Sequence, residues 1–546
     1  MTDSSSRANA NEASLMRVFT IPESDESTLS RIEKQMSEDL NGFLEQQIVA
    51  VQKPLGDIER DFSASRIPEE PMWVSDYSDQ ILDTLIAHSV HTSSPKFIGH
   101  MTSALPYFLL PLSKMMVGLN QNLVKVETSK AFTPMERQVV GMIHHLVYQR
   151  EEAFYEQWMH KVEGAIGAFC SGGTVANITA LWAARNCRFK ADGDFAGVSQ
   201  EGLFAALKHY QYDGVAVITS KRGHYSLSKA ADLLGIGRRS FVAVDVDENN
   251  RIRIDQLERT CRELTEQNIC ILAIVGVAGT TETGSIDPMD EIATIAEKYG
   301  AFFHVDAAWG GASLLSGKYR HLMKGIERAD SVTIDAHKQL YVPIGAGMVL
   351  FKNPQLSAAI EHHAKYILRE GSKDIGVHTL EGSRPGMAML VHSCLNIIGR
   401  QGYELLIDKS IDNAKYFAEI IRQDEDFELI SEPELCILTY RYVPAHVRRF
   451  MATCSDEVMQ HINGLLNILT RTIQKTQREQ GKSFVSRTIL TPAAYGGQDI
   501  VVFRTVLANP LTTPEILQDV LREQKAIAAK QLENLAPIEA YIQSNS

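Results

Sequence analysis

The 546-residue chain has only seven cysteines, and no two of them form a CxxC pair. Their odd number and scattered positions favour reduced thiols over a disulfide framework or a cysteine zinc site. The adjacent histidine pairs, His144-His145 and His362-His363, lack the i, i+4 spacing of a helical metal site. These absences predict a cytoplasmic protein that binds no metal.

The chain also lacks an excess of positive charge and a long apolar run. Its 54 Lys and Arg residues against 67 Asp and Glu residues give a formal net charge of -13. That balance argues against broad binding to nucleic acid or to an anionic membrane. No apolar run approaches the length of a membrane span, and residues 1–13 are polar, without the apolar core of a signal peptide. We therefore expect neither nucleic acid nor membrane as a partner.

Short apolar segments of strand character alternate with helical patterns in the middle of the chain. The strand-like segments, after a short one that ends before Ser171, are 215–220, 241–246, 269–277, 301–306, 331–334 and 347–351. This alternation predicts an α/β fold with a mostly parallel sheet that is covered on both faces. Two later strand-like segments, 436–442 and 501–506, lie among helical patterns and predict a smaller α+β region at the C-terminal end.

Three helical features carry further expectations. The apolar spacing over 27–51 indicates a helix that packs either on a partner subunit or on its own chain. Residues 105–122 are predicted to form a buried helix. Asp287 and Pro288 are predicted to be the N-cap and first-turn proline of a helix over 289–298, which gives Asp287 a structural role.

Charged residues follow two predicted strands, at the edge where open α/β sheets bind ligands. Lys338 comes shortly after the strand-like segment 331–334, and Asp306 ends the segment 301–306. Alone, such a lysine is more often a surface charge, and such an aspartate a turn or cap residue. A lysine that forms an imine and an aspartate that faces a pyridinium nitrogen are what pyridoxal phosphate chemistry requires. The pair therefore predicts a cofactor site.

Other loops at this edge have the composition of ligand contacts. Ser171-Gly-Gly-Thr174 precedes a helical pattern, so its backbone N-H groups and the Thr174 hydroxyl suit a phosphate. No Gly-Lys-Ser/Thr follows, which excludes a nucleotide P-loop. His224 follows another strand, where an imidazole can stack on a flat cofactor or cap a helix. The loop 279–284 follows the longest predicted strand.

In their order and spacing, these motifs resemble the group II pyridoxal-phosphate-dependent amino acid decarboxylases. The motifs are Ser171-Gly-Gly-Thr-x-Ala-Asn, His224-Tyr-Ser, Gly279-Thr-Thr, His304-Val-Asp-Ala-Ala-Trp-Gly-Gly and Asp330-Ser-x-Thr-x-Asp-x-His-Lys338. The resemblance covers roughly residues 95–510 and implies a homodimer with the aspartate-aminotransferase-like fold, fold type I. It implies an N-terminal tail and helical dimerisation segment (1–94), a large cofactor-binding domain (95–395) and a small C-terminal domain (396–546).

The resemblance also implies roles for individual residues. Lys338 would bind the cofactor covalently, His224 would stack over its ring, and Asp306 would face the ring nitrogen. The remaining cofactor contacts would be Gly173 and Thr174 at the phosphate, Thr281, Ala308 behind the ring, and Asp335 and His337 beside the lysine. Asp335 stands where many relatives carry asparagine.

The substrate is predicted from residues outside these motifs. Segment 502–510 resembles the strand of glutamate decarboxylases whose arginine, here Arg504, binds a substrate carboxylate, which favours an acidic amino acid over an aromatic one. The alternative is an arginine that forms a surface ion pair. His100 and Val124 replace a glutamine and an aromatic residue that touch substrate in those enzymes. With the likeness of the whole chain to bacterial aspartate decarboxylases, this favours conversion of L-aspartate to β-alanine and CO₂ over conversion of L-glutamate to 4-aminobutyrate.

A loop over 366–386 departs from the family pattern. Many relatives place there a tyrosine that returns a proton to the carbanion, but this chain has none at the expected place, which leaves Tyr366 or His378 as candidates. The stretch Gly382-Ser-Arg-Pro-Gly also resembles lyase relatives. A carbon-carbon lyase or aminotransferase on the same fold, and a non-catalytic protein that binds the cofactor, are the alternatives.

Overall fold

A seven-stranded sheet forms the centre of the computed structural model, which describes residues 28–38, 53–363 and 371–545. The strand order is β1-β7-β6-β5-β4-β2-β3. The strands are β1 (Gly167–Cys170), β2 (Gly214–Ser220), β3 (Phe241–Val244), β4 (Ile269–Val277), β5 (Phe302–Asp306), β6 (Ser331–Ile334) and β7 (Gly347–Phe351). Strands β2 to β6 are parallel, and β7 runs antiparallel between β6 and β1. The predicted α/β fold with a mostly parallel sheet is confirmed.

The sheet is buried on both faces because its central strands are continuously apolar. In β4 every residue after Ile269 is buried, as expected for a parallel strand that helices cover on both sides. The register aligns the carboxyl ends of neighbouring strands, since Val277 pairs with Asp306 and Asp306 pairs with Thr333. Residues that follow β4, β5 and β6 therefore meet at one edge.

Helices surround this sheet. Before it lie α1 (Thr28–Glu38), α2 (Leu55–Asp61), α3 (Val74–Thr84), α4 (Leu109–Leu119), α5 (Phe132–Tyr148) and α6 (Glu152–Trp158). Between its strands lie α7 (Gly173–Arg188), α8 (Val198–Tyr210), α9 (Tyr225–Leu233), α10 (Ile254–Glu266) and α11 (Met289–Tyr299). After it lie α12 (Ala388–Gln423), α13 (Ala445–Met451), α14 (Asp456–Gln480), α15 (Pro514–Ala528) and α16 (Leu532–Asn545). The long α12 is kinked at Gly399, whose φ of 67° leaves the helical region.

A second, antiparallel sheet lies in the C-terminal region, in the order β10-β11-β9-β8. Its strands are β8 (Phe427–Ser431), β9 (Ile437–Tyr442), β10 (Ser486–Leu490) and β11 (Ile500–Val506). The backbone of Ile98 joins this sheet, since its N-H donates to the Phe484 carbonyl (3.0 Å) and its carbonyl accepts from the Val506 N-H (2.7 Å). The segment that precedes His100 is thereby fixed against β11. The domain boundaries at 95 and 396 stay predictions.

Two local expectations are wrong. The helix predicted over 105–122 exists as α4, but Leu109 is its one buried residue, because this chain places too few neighbouring side chains around the other apolar residues to cover them. Asp287 does not cap α11, because Pro288 occupies the N-cap position. Its carboxylate instead accepts the backbone N-H groups of Ile252 (2.7 Å) and Val277 (2.9 Å), so its role is still structural.

Part of the predicted N-terminal helix is present, because α1 covers 28–38, whereas 39–51 lie outside the described residues. Among the residues that the structure describes, no helix has the length and apolar character to cross a membrane. The same residues contain no group of three or more His, Cys, Asp or Glu side chains arranged to hold a metal ion.

Candidate active site

A cavity of about 490 Å³ opens at the carboxyl edge of the seven-stranded sheet. The loops after β1, β2, β4, β5 and β6 form much of its wall, as the register of these strands requires. All nine predicted cofactor residues and His100 line this cavity: Gly173, Thr174, His224, Thr281, Asp306, Ala308, Asp335, His337, Lys338 and His100. The fold thus brings together residues that are up to 238 positions apart, from His100 to Lys338.

Lys338 is held beside Asp335 at the floor of the cavity. Its Nζ lies 3.0 Å from Asp335 Oδ2, and the His337 Nε2 lies 3.6 Å from the same oxygen. His337 Nδ1 donates to the Ala346 carbonyl (2.8 Å), and burial is the largest cause that lowers the pKa of its ring. Asp335 Oδ1 is buried and has no hydrogen-bond partner among the described residues. This end of the cavity therefore presents an amine beside a carboxylate that retains accepting capacity.

The N-terminus of α7 borders the cavity close to Asp335. Gly172 occupies the N-cap position and offers no side chain to accept the first helical N-H groups. A Cβ on Gly173 would lie 2.8 Å from Asp335 Oδ2 and 3.2 Å from the Ala308 Cβ, so only glycine fits this approach. With the Thr174 hydroxyl, these free donors form a cradle suited to a phosphate.

Asp306 is fixed by two donors. Its Oδ2 accepts from Asn177 Nδ2 (2.8 Å), and its Oδ1 accepts from the Ala308 backbone N-H (3.2 Å). Asn177 Oδ1 in turn accepts from His304 Nε2 (3.0 Å), and Ser331 Oγ donates to His304 Nδ1 (2.8 Å). Burial lowers the pKa of His304 to about 4, so its ring is neutral at pH 7 and the proton lies on Nε2. The hydrogen bonds hold Asp306 as a fixed acceptor, the group that a protonated ring nitrogen requires.

His224 unites the two roles considered for it. Its Nδ1 accepts the Ser226 backbone N-H (3.3 Å) and thereby caps α9, while the ring lines the cavity. Ser226 Oγ accepts from Asn177 Nδ2 (3.0 Å) and donates to His224 Nδ1 (2.8 Å). Burial, the largest influence, lowers the pKa of His224, so the neutral ring carries its proton on Nε2.

Arg504 lies behind the cavity and is not part of its wall. It is 8% exposed on β11, and its Nε donates to the Thr281 carbonyl (2.6 Å) while Nη1 donates to the Gly99 carbonyl (3.2 Å). Its Nη2 is buried and unpartnered within the described chain. Burial lowers the pKa of Arg504 to about 10, partly offset by the charge of Glu282. The alternative of a surface ion pair is excluded by this burial.

His100 lines the cavity and is influenced by two cationic groups of the site. Burial lowers its pKa, and the charges of Arg504 and Lys338 lower it further, so its ring is neutral at pH 7. Val124, the other predicted substitution in the substrate pocket, is buried but does not line the cavity of the single chain.

Of the two candidates for returning a proton, only His378 lies among the described residues, and it does not line this cavity. His378 lines a separate, smaller cavity near Glu136 and Arg137, and its Nε2 donates to the Val162 carbonyl (3.3 Å). Tyr366 lies outside the described residues.

Two residues that line the cavity have no role predicted from the sequence: Asn177, which belongs to the Ser171 motif, and Arg222. Asn177 lies four residues after Gly173 in α7, and helical positions i and i+4 share a face, so the contact predicted for Gly173 also placed Asn177 toward the cavity. Arg222 lies two residues before His224, and Glu282 directly follows Thr281. This nearness to predicted contacts is the only signal that the sequence offers for Arg222 and Glu282.

Comparison with known proteins identifies relatives along almost the whole chain. The family model described as the pyridoxal-dependent decarboxylase conserved domain matches residues 58–443. An aspartate 1-decarboxylase of Aliivibrio fischeri is 62% identical over 529 residues, 97% of this chain and 97% of that protein. An L-2,4-diaminobutyrate decarboxylase of Acinetobacter baumannii is 29% identical over 387 residues, 69% of this chain and 72% of that protein. The crystal structure of mouse CSAD matches with a TM-score of 0.79 and 25% identity, covering 95% of this chain and 99% of that chain.

Proposed function

Because this chain belongs to the pyridoxal-dependent decarboxylase family and is a pyridoxal-phosphate-dependent carboxy-lyase, we propose that it converts L-aspartate to β-alanine and CO₂. The observation that carries the choice of substrate is the 62% identity to an aspartate 1-decarboxylase along 97% of both chains. No specific observation favours the aminotransferase or the non-catalytic alternative.

The cavity residues fit the cofactor in charge and shape. The phosphate would be held by the cradle of Gly173 and Thr174, and the aldehyde carbon would be bonded to Lys338 Nζ. When bound, pyridoxal phosphate supplies an electron sink for the pair of electrons left at Cα as CO₂ departs. Asp306 would favour a protonated ring nitrogen by its negative charge, and Asn177 holds that carboxylate in place.

The other wall residues orient the reacting groups. The ring of His224 would cover one side of the cofactor, and the small side chain of Ala308 would allow close approach from the other side, since both residues line the cavity. Thr281, Asp335 and His337, which also line it, would supply further contacts. Fixing the ring plane lets the chain hold the Cα-carboxylate bond perpendicular to it, which is a positioning effect.

Arg504 is proposed to bind the side-chain carboxylate of the substrate. A guanidinium with a buried, unpartnered Nη2 retains the capacity for a charged hydrogen bond. His100, neutral and beside Arg504, would limit the length of the pocket. Glutamate is longer by one methylene, a difference worth only about 1 to 3 kcal/mol in a pocket, so L-glutamate is the competing substrate.

We further propose a cytoplasmic homodimer with the division into segments 1–94, 95–395 and 396–546. The support for the homodimer is the family resemblance together with the surface of α4. Its residues Met115, Val117 and Leu119 are 59%, 70% and 55% exposed in the single chain, a large apolar surface for one short helix.

Product analysis tests the proposed reaction. Purified protein with pyridoxal phosphate is incubated separately with L-aspartate and with L-glutamate, and the amines are separated by chromatography. We expect β-alanine as the dominant product. Dominant 4-aminobutyrate would overturn the choice of substrate, and a keto acid without CO₂ would replace decarboxylation by transamination.

A further inference from the structure

Arg222 is a cavity residue to which the family resemblance gives no role. It lies in the turn after β2, two residues before His224, and lines the cavity. Its Nε donates to Asn250 Oδ1 (3.2 Å), which orients the guanidinium. Across residues 53–363 and 371–545 no carboxylate forms an ion pair with it, and its two terminal nitrogens have no protein acceptor. Arg222 is therefore a positive charge with free donors at the wall.

Glu282 links Arg222 to Arg504 electrostatically. Burial lowers the pKa of both guanidinium groups, and the charge of the Glu282 carboxylate opposes that lowering in each case. The hydrogen bonds agree with this link, because Arg504 Nε donates to the carbonyl of Thr281, the residue before Glu282, and Thr281 lines the same cavity as Arg222. Glu282 Oε2 is itself buried without a hydrogen-bond partner in the described chain. Arg222, Arg504 and Glu282 together carry a net positive charge, which favours an incoming carboxylate.

We propose that Arg222 joins Arg504 in binding the side-chain carboxylate of the substrate, so that two guanidinium groups select a dicarboxylic amino acid. The inference rests on the proposed function. The retained carboxylate keeps its charge throughout the reaction, whereas the departing one loses its charge as CO₂ forms. An arginine on the departing carboxylate would stabilise the ground state more than the transition state and slow the reaction. An arginine on the retained carboxylate lowers KM without that penalty.

The test uses a product that carries only the retained carboxylate. Steady-state kinetics with L-aspartate are measured for the wild-type holoenzyme, Arg222→Gln and Arg222→Lys, and the binding of β-alanine to each is measured by calorimetry. The matched control is Lys221→Gln, which removes the same charge one residue away. Lys221 is exposed, forms an ion pair with Asp245 and does not line the cavity.

For Arg222→Gln we expect KM to rise and β-alanine affinity to fall by the same factor, about 10- to 100-fold, the range for losing charged hydrogen bonds. The kcat should change little, because the lost interaction is equal in the ground and transition states. Arg222→Lys should lie between, since it keeps the charge but not the forked geometry. Lys221→Gln should behave as wild type.

Three results would overturn the proposal. They are an unchanged KM in Arg222→Gln, a raised KM with unchanged β-alanine affinity, and an equal shift in Lys221→Gln, which would indicate only a long-range field. Weaker pyridoxal phosphate binding with unchanged β-alanine affinity would assign Arg222 to the cofactor instead. Cofactor absorbance and thermal unfolding identify a variant that fails to fold, in which case Arg222→Lys carries the test.

Failure of the proposed function has a different signature. If the wild-type enzyme forms 4-aminobutyrate and no β-alanine, the choice of L-aspartate falls while Arg222 remains testable. The same comparison then uses L-glutamate as substrate and 4-aminobutyrate as the binding probe, and unchanged values in Arg222→Gln would overturn the role of Arg222 alone.

Discussion

Asn177→Ala is expected to impair the Asp306 side of the site. Asn177 is buried in α7 and takes part in three hydrogen bonds, to Asp306, Ser226 and His304. Alanine removes the donor to the Asp306 carboxylate and leaves the His304 Nε2 proton without its acceptor. Both orphaned groups are buried, so solvent does not replace the lost partner.

The structure sets the size of both effects. Each buried polar group that loses its partner costs about 1 to 3 kcal/mol, so the two groups should lower the free energy of unfolding by roughly 2 to 6 kcal/mol. The hydrogen bond to Asp306 involves a charged acceptor and is worth about 1.5 to 3 kcal/mol. If that bond acts fully in the transition state, its loss lowers kcat by roughly 10- to 150-fold.

Asn186→Ala is the matched control because Asn186 lies on the same helix and is also buried. Its Nδ2 donates to the Ala359 carbonyl (2.8 Å), away from Asp306. Urea unfolding, kcat and pyridoxal phosphate affinity are measured for both variants. We expect both to be destabilised, but only Asn177→Ala to lose kcat and cofactor affinity. Wild-type kcat in Asn177→Ala, or an equal loss in Asn186→Ala, would refute this reasoning.

Three further predictions concern the lysine, the substrate arginine and acid stability. Lys338→Ala should abolish β-alanine formation while circular dichroism stays native; wild-type turnover would contradict its role. Arg504→Gln should raise the KM for L-aspartate at least about 10-fold by removing charged hydrogen bonds, and unchanged steady-state kinetics would remove Arg504 from the substrate site. Burial lowers the pKa of His304 from 6.5 to about 4, so the unfolded chain binds a proton that the native protein excludes. The neutral His304 ring therefore contributes about 3 kcal/mol to the free energy of unfolding above pH 6.5. This contribution is lost as the pH falls toward 4. His304→Gln should therefore reduce the pH dependence of the free energy of urea unfolding over that range. The part due to His144, whose pKa burial also lowers to about 4, should remain. An unaltered slope in His304→Gln would count against this account.

The sequence could predict that the proposed cofactor residues share one edge of the sheet, because each one lies at the end of a strand or within four residues after it. Strand character is a local property of the sequence, and parallel strands in register bring their carboxyl ends together whatever their separation along the chain. Asp306, at the end of β5, and Lys338, shortly after β6, meet at one cavity for that reason. The same local pattern could not decide whether His224 caps a helix or contacts the cofactor. In the structure, His224 caps α9 and its ring also lines the cavity.

Contacts between side chains of distant elements could not be predicted in the same way. The hydrogen bond between Asn177 and Asp306 joins a helix and a strand 129 positions apart. The common reach of Glu282 toward Arg222 and Arg504 depends on the packing of three separate loops and strands. Neither the spacing nor the composition of the sequence predicts those distances. They depend on how three elements pack near the cavity: helix α7, the loop that follows β4, and strand β11.

The apolar helix α4 shows the remaining difficulty. Its composition favours burial, since water exposure of methionine, valine and leucine side chains is unfavourable, but the single chain does not bury it. A hydrophobic pattern does not state which chain provides the cover, and within this chain Met115, Val117 and Leu119 face outward. The preceding segment places His100 in the cavity wall and is bonded to β11, which carries Arg504. A partner subunit seated on α4 would therefore contact a helix that begins nine residues after His100. The proposed homodimer and the proposed substrate specificity are linked through this segment.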